Sequence, residues 1–244
     1  MPANARATLA AIWQTRAGLE LRVAAGFSAL AFELFEHGAS QVVYELVGQA
    51  VRDEIHHAQI SVEIASKYRG DAPVWPEPEP VRPPPFSPTT GAMHATLYVI
   101  AQCCINETIA CGVLEAGLAE AKSPLIRAAL GSILADEIDH ARAGWAHLAS
   151  SHVTPEMKRA LPKWLHRLHV AKLHEFVEDE TPARSDGIVG HGMLSRARLR
   201  AVVYATLVDA VFPGFHRAGI DASLAEQWAR GEFERAATAA SERS

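Results

Sequence analysis

Apolar residues recur every three to four positions along most of the chain, which is the spacing of helices with one buried face. The alternation of apolar and polar residues that is typical of strands is missing from the sequence. The pattern therefore predicts an all-α fold of four long helices followed by two or three shorter ones. Their expected spans are 4–36, 41–69, 91–121, 124–150, 155–178, 194–212 and 222–238, with a break around Pro213 and Gly214.

Residues 71–90 interrupt this pattern, because they contain eight prolines in twenty positions. Proline cannot continue a helix and favours the extended polyproline II conformation, at about 3.1 Å per residue. A segment of this length could therefore reach roughly 60 Å. Two interpretations are open at this point: a flexible linker between two domains, or a stiff crossover along the outside of a helix bundle.

The composition limits the class of protein. The 244 residues are 49% apolar and carry a formal net charge of −5, which is typical of a globular chain and excludes a disordered one. No transmembrane helix and no secretory signal are expected from the sequence. The three cysteines lie within 103–111, and they are too few for a disulfide framework. We therefore expect a reducing, cytoplasmic location.

Two short segments of the chain nearly repeat each other. Residues 53–58 read DEIHHA and residues 136–141 read DEIDHA. Each contains Glu-x-x-His, and a spacing of three places both side chains on one helical face. That face is otherwise apolar in both helices, where a charged carboxylate is costly unless it is compensated. Helices one and three each carry one such glutamate on an otherwise apolar face, Glu20 and Glu107.

The distances of these glutamates from the predicted turns agree. Glu20 lies about 18 residues before the first turn and Glu54 about 16 after it, which corresponds to roughly 27 and 24 Å of helix. Glu107 and Glu137 each lie about 15 residues, or roughly 22 Å, from the second turn. All four then share one level if the connection 71–90 climbs the full height of the helices. This requirement favours a four-helix bundle with one long crossover.

The arrangement resembles the ferritin-like diiron carboxylate superfamily, over residues 1–150. The motifs that carry the resemblance are Glu20, Glu54-x-x-His57, Glu107 and Glu137-x-x-His140. It implies a bundle domain over 1–152, with the crossover at 71–90, and a C-terminal helical extension over 153–244 packed on that bundle. Carboxylates and imidazoles suit iron or manganese, so we expect two iron ions or an iron–manganese pair.

The resemblance also implies a role for each ligand. Glu54 and Glu137 would bridge the two metals or lie between them. Glu20 with His57 would complete the shell of one ion, and Glu107 with His140 that of the other. Asp53 would hold His140, and Asp136 would hold His57, because metal-bound histidines usually donate their second N–H to a carboxylate. The alternative for both aspartates is that they face water. The resemblance thus implies a site made of Glu20, Asp53, Glu54, His57, Glu107, Asp136, Glu137 and His140.

The expected function is that of a non-haem diiron oxygenase or oxidase, which uses O₂ to oxidise a small organic substrate. The electron donor is not identified by the sequence, a homodimer is possible, and neither a membrane nor a nucleic acid is an expected partner. One alternative is iron oxidation and storage, or peroxide removal. The other is a helical adaptor without metal.

Three further groups of residues have an ordinary and a functional interpretation. Cys103, Cys104 and Cys111 are expected to fill the core, with a redox or substrate-lining role as the alternative. The basic residues of 151–200 are expected to form a solvated helix face, or else a docking site for an acidic partner. His166, His169 and His174 are expected on the surface, although His166 and His169 have a spacing that could chelate a metal.

Overall fold

The structure, a computed structural model, describes residues 1–77, 86, 88–89, 91–177, 188 and 190–241. These residues form helices and contain no β-strand, which confirms the all-α class. The helices are α1 Ala3–His37, α2 Gln41–Arg69, α3 Gly91–Val99, α4 Thr108–Glu120, α5 Pro124–Ala149, α6 Pro155–Ala160, α7 Pro162–Val177, α8 Arg196–Thr206, α9 Phe212–Arg217 and α10 Ser223–Ser241. Two π-helical segments join consecutive helices, π1 Ile100–Glu107 and π2 Leu207–Val211.

The first four predicted helices agree with the structure to within about a residue, since α3, π1 and α4 form one continuous helix, Gly91–Glu120. Their ends follow local backbone chemistry. Gly38 and Gly70 follow α1 and α2 with positive φ angles of 94° and 83°, a conformation that glycine adopts without steric cost. Ser123 precedes α5 and Pro124 opens it, where the missing N–H of proline is not needed.

Every neighbouring pair among the four long helices runs antiparallel. On α1 and α3, Gly26 accepts a hydrogen bond from Tyr98, and Glu33 contacts His94. On α2 and α5, His57 contacts Asp136 and Asp53 contacts His140. In each pair, a higher residue number on one helix meets a lower number on the other.

The Gly91–Glu120 helix is also antiparallel to α5, since Thr96 contacts His147 while Arg127 donates to the carbonyl of Leu118. Helices α2 and α3 are both antiparallel to α5 and therefore point in the same direction. The chain between them has to return along the whole height of the helices.

The described ends of the proline-rich segment fit that path. Gln14, near the start of α1, donates from Nε2 to the carbonyl of Val74 at 2.9 Å. The ring of Phe86 lies 5.4 Å from that of His94, at the opposite end of α1. The rest of the predicted crossover, residues 78–85, 87 and 90, lies outside the described residues.

The C-terminal helices pack on one side of the long helices. Helix α8 contacts α4, while α7 contacts π1, α8 and α10. The aromatic side chains of Phe212 and Phe215 are fully buried and join the same apolar core as the long helices. The extension therefore covers the helix that carries Glu107.

Two predictions about the C-terminal half are wrong. The helix expected over 155–178 is divided into α6 and α7, because Pro162 lacks the N–H that an uninterrupted helix would use. The expected break at Pro213 does not occur, since the chain stays helical from Arg196 to Arg217. Segment π2 ends just before Phe212, so Pro213 lies in the first turn of α9, where proline is tolerated.

By length and composition alone, one of the described helices, Gly91–Glu120, could cross a membrane. Its most apolar stretch is 67% buried inside the protein, and it contains the buried Glu107. A central core helix has these same properties, so its apolar character is weak evidence for a membrane.

Candidate metal centre

All six predicted ligands are buried at one level of the long helices. A carboxylate in such a place loses its hydration, and only cations, protons or donors can compensate for that loss. The exposed fractions are 7% for Glu20, 1% for Glu54, 0% for His57, 2% for Glu107, 3% for Glu137 and 1% for His140.

The α2 motif lies at the centre of this cluster. His57 Nδ1 is 3.4 Å from Glu54 Oε2 and 3.7 Å from Glu137 Oε1. Donor atoms of Glu20, Glu54, His57 and Glu137 all lie within 4.8 Å of one another, close enough to hold one metal ion. The structure thus brings three helices together around a single four-donor site.

The α5 motif faces the same point from the opposite side. His140 Nδ1 is 3.0 Å from Glu137 Oε2 and 3.2 Å from Glu54 Oε1. The two histidine rings are 5.9 Å apart between centroids. Glu54 and Glu137 are therefore shared between the two motifs, which is the position that bridging ligands require.

The aspartate that opens each motif contacts the histidine of the other motif. Asp136 Oδ2 lies 3.1 Å from His57 Nε2, and Asp53 Oδ2 lies 3.5 Å from His140 Nε2. Both rings consequently direct Nδ1 towards the glutamates and Nε2 towards an aspartate. This geometry is the one in which a carboxylate fixes the ring orientation of a metal ligand, although the role itself stays a prediction.

Glu107 is held by two amide side chains. Its Oε1 accepts hydrogen bonds from Gln102 Nε2 and from Asn106 Nδ2, the latter at 3.2 Å. Residues five apart in an α-helix are rotated by about 140° around the axis, so Gln102 would not reach Glu107 there. The i to i+5 bonding of a π-helix brings the two onto one side. No motif in the sequence points to Gln102 as a partner of Glu107.

Glu20 has a cationic partner. Arg16 Nε donates to Glu20 Oε1 at 2.7 Å, and the Arg16 side chain is 22% exposed. The spacing of four residues on α1 is a recognisable signal of a helical ion pair. Its place beside the buried cluster follows only from the fold.

Burial and neighbouring charges shift the pKa values of the clustered side chains. Burial raises the pKa of Glu54 and of Glu137, and burial together with the charge of Glu137 raises the pKa of Glu107 well above its usual value. Burial would lower the pKa of His57, but the carboxylate of Glu54, 3.4 Å from its Nδ1, raises it to about 9. The same competition raises the pKa of His140 to about 11.

The donor set fits a divalent cation. Both oxygens of Glu54 and Nδ1 of His57 face the centre and are buried without a hydrogen-bond partner among the described residues. Four glutamates around one point carry enough negative charge to balance two divalent ions. Glutamate oxygens and imidazole nitrogens are common ligands of iron and manganese.

The cysteines lie close to this centre. Cys103 and Cys104 are fully buried in π1, and Cys111 is half-buried in α4. Burial raises the pKa of Cys103 and of Cys104 well above the usual value. Neutral thiols in these positions agree with the expected role as core residues.

The expectation that the three later histidines lie on the surface is wrong for His169. This residue is 0% exposed, and its Nδ1 lies 2.7 Å from the carbonyl oxygen of Leu165. Phe212 and Phe215 pack against its ring, because α9 covers this face of α7. His166 packs edge-on against Trp228, and the side chain of His174 lies outside the described residues.

Most of the basic side chains of 151–200 that the structure describes are exposed. Arg159, Lys163 and Arg167 face solvent, whereas Lys158 is half-buried. Arg159 pairs with Glu156 at 2.7 Å. These positions agree with a solvated helix face.

Comparison of the chain with protein-family models, with curated proteins and with solved structures gives no match. The interpretation of the site therefore depends on its own geometry.

Proposed function

We propose that the protein is a ferritin-like dimetal oxidase or oxygenase that uses O₂ to oxidise a small organic substrate. The observation that carries this proposal is the buried group Glu20, Glu54, His57 and Glu137, which could hold a metal ion. His140 contacts two of these glutamates, and Glu107 lies beside Glu137. The antiparallel packing of the four long helices and the parallel direction of α2 and α3 support the ferritin-like bundle with its long crossover.

Each residue would have its own role at this centre. Glu20 and His57 would hold one ion, Glu107 and His140 the other, and Glu54 with Glu137 would lie between them. Bound iron would supply the reaction with O₂. Asp53 and Asp136 would orient the two imidazoles through their Nε2 atoms, and the apolar core around the cluster would exclude water.

The position of the C-terminal helices favours an enzyme over an iron-storage protein. Helices α7 and α8 pack on π1 and α4, so they shield the side of the centre that carries Glu107. Such a cover suits an enzyme, which has to keep its reaction at the metals away from bulk water. The alternatives of iron storage or peroxide removal, and of a metal-free adaptor, are separated by the experiment below.

The test is metal analysis of the pure chain, followed by anaerobic loading with Fe(II) and exposure to O₂. We expect two metal ions per chain and rapid O₂ consumption. Glu137→Ala should lose at least one ion and O₂ consumption. Asp139→Asn is the matched control, since Asp139 lies two residues away with its side chain 52% exposed.

Each alternative has its own result. A wild-type chain without metal above trace level contradicts the proposal and favours the adaptor. A spherical multi-subunit cage by sizing or electron microscopy, filling with many iron atoms per chain, favours storage. Fast consumption of peroxide without consumption of O₂ favours peroxide removal.

A further inference from the structure

Arg16 on α1 connects the edge of the carboxylate cluster with solvent. Its Nε donates to Glu20 Oε1 at 2.7 Å, and its side chain is 22% exposed. The guanidinium lies 5.5 Å from the centre of the Trp13 ring. Among the described residues, Glu20 is the only hydrogen-bond partner of Arg16. An arginine presents five N–H donors in a planar fork, and the four on its Nη atoms therefore stay available.

The predicted metal centre meets solvent on the side of Arg16. Glu20 is the most exposed of the six predicted ligands, at 7% against 3% or less for the others. Helix α1 packs on α3, where Tyr98 donates to Gly26. The described part of the chain shows no comparably close packing of α1 on π1 or α4, which continue that helix past Glu107. A molecule from solvent can therefore reach the Arg16 fork without passing through the packed core.

The positive charge of Arg16 is balanced by Glu20 only while no metal is bound. Glu20 is the carboxylate that pairs with Arg16. A divalent ion on Glu20 would share that carboxylate, and the guanidinium would then lack a full counter-charge. Arginine does not lose its proton in proteins, and a partly buried cation without a counter-ion is costly. An anion bound to the Nη side of the fork would remove this cost.

We infer that Arg16 anchors the substrate of the proposed oxidation, and that this substrate is a small organic carboxylate. A carboxylate matches the guanidinium fork with two parallel N–H···O hydrogen bonds. The bound carboxylate would lie beside Glu20, at the edge of the centre. The oxidation rests on the proposed function, whereas the binding depends on Arg16 and on the charge of Glu20.

The inference can be tested with two probes of the same shape and different charge. Benzoate carries a carboxylate, and benzamide replaces it by a neutral amide. Each probe is titrated into the full chain loaded with Zn(II), a diamagnetic ion that binds carboxylates and imidazoles, while the arginine Nε–H resonances are recorded by ¹H–¹⁵N NMR. The Arg16 resonance is assigned from Arg16→Gln. Arg6→Gln is the matched control, because Arg6 is an exposed arginine on the same helix.

A second variant makes the test independent of metal. Glu20→Gln removes the charge that a bound ion would share, and it leaves an amide oxygen that still accepts from Arg16. After treatment with a chelator, we expect the Glu20→Gln chain to bind benzoate at Arg16. The metal-free wild type, in which Glu20 still balances Arg16, should bind it more weakly.

We expect benzoate to shift the Arg16 Nε–H resonance and to bind at least about tenfold more tightly than benzamide, the usual value of charge-assisted hydrogen bonds. Arg16→Gln should abolish this preference, and Arg6→Gln should keep it. Arg16→Lys should keep only a part of it, since lysine has the charge without the fork. If Arg16→Gln does not fold, Arg16→Lys still assigns the resonance.

Equal binding of the two probes by metal-free Glu20→Gln would overturn the inference, and Arg16 would then only shield the charge of Glu20. A preference for benzoate that survives Arg16→Gln would overturn it as well, because the probe would be binding elsewhere. Neither outcome depends on the metal content of the wild type. A chain that binds no metal, but whose Glu20→Gln variant prefers benzoate through Arg16, contradicts the proposed function alone.

Discussion

Four described histidines are almost completely buried, and they form two opposite kinds. His57 and His140 lie among glutamates, and their pKa values are raised to about 9 and about 11. His147 and His169 lie in apolar parts of the core, and burial lowers their pKa values to about 4. The exposed fractions of the four side chains differ by no more than about 2%.

The difference teaches that burial does not identify a metal ligand. Burial disfavours the charged imidazole in all four cases, and the neighbours decide the result. Glu54 and Glu137 face the first pair. The hydroxyl of Thr96 and the backbone carbonyl of Leu165 are the partners of the second pair. Among these four histidines, only His57 and His140 have carboxylates beside them that would attract a cation to their ring nitrogens.

The largest expected effect is on metal binding. If the proposed centre holds two ions, His140→Ala should remove one of them, with a loss of more than about 100-fold in its affinity, because a direct ligand disappears. His147→Ala removes a histidine that is equally buried on the same helix, and it should keep both ions. Metal stoichiometry by mass spectrometry and calorimetric titration would measure this. A loss of metal in His147→Ala would break the distinction between the two kinds.

The loss of folding stability at acid pH should arise from the second pair, His147 and His169. A histidine with a lowered pKa in the folded state stabilises above its unfolded value of about 6.5, and this contribution is lost as the pH falls towards 4. The expected loss is about 3 kcal/mol for each of His147 and His169. Urea unfolding of the metal-free chain between pH 7.5 and 4 should show it.

Between pH 7.5 and 4, the free energy of unfolding of the double variant His147→Asn/His169→Asn should fall less than that of the wild type. His56 is exposed and supplies the control. His56→Asn should show the same loss of stability at acid pH as the wild type. Parallel curves for the wild type and the double variant would contradict this assignment.

Helix α5 carries one histidine of each kind, and Gly144 lies between them. A Cβ at this position would lie 2.7 Å from Cys103 Cβ and 2.9 Å from the backbone nitrogen of Cys104. Gly144→Ala should therefore destabilise the protein by about 2 kcal/mol. Gly131→Ala on the same helix meets no atom within 4 Å and should stabilise it by about 0.5 kcal/mol. Chemical denaturation of both variants measures the contrast.

The smallest expected effect concerns the orientation of the first pair. Asp136→Asn should weaken metal binding by about tenfold, since the aspartate contacts His57 without reaching the cluster itself. Asp139→Asn, at an exposed position, should have no effect. Calorimetric titration with Mn(II) distinguishes the two variants. An unchanged affinity in Asp136→Asn would show that the 3.1 Å contact does not support the ligand.

The sequence was sufficient for the long helices and for the four residues Glu20, Glu54, His57 and Glu137, which come together at one site. Apolar periodicity marked the helix spans, and the repeated DEI-x-HA segments stood out because charges on a core face need compensation. The position of His169 was not predictable, since burial on α7 depends on α9, which is more than forty residues away. Segment π1 and the contact of Gln102 with Glu107 were missed as well, because residue spacing assumes a regular α-helix.

The proline-rich segment has a consequence for how the crossover is attached. Pro76 lies against Gly18, and Phe86 lies against His94, which contacts Glu33. Gly18 and Glu33 are separated by about 22 Å along α1. Ten residues span at most about 35 Å, but six span only about 20 Å. With four residues deleted between them, Pro76 and Phe86 could no longer make both contacts, so the length of this segment sets where its two described ends dock on the long helices.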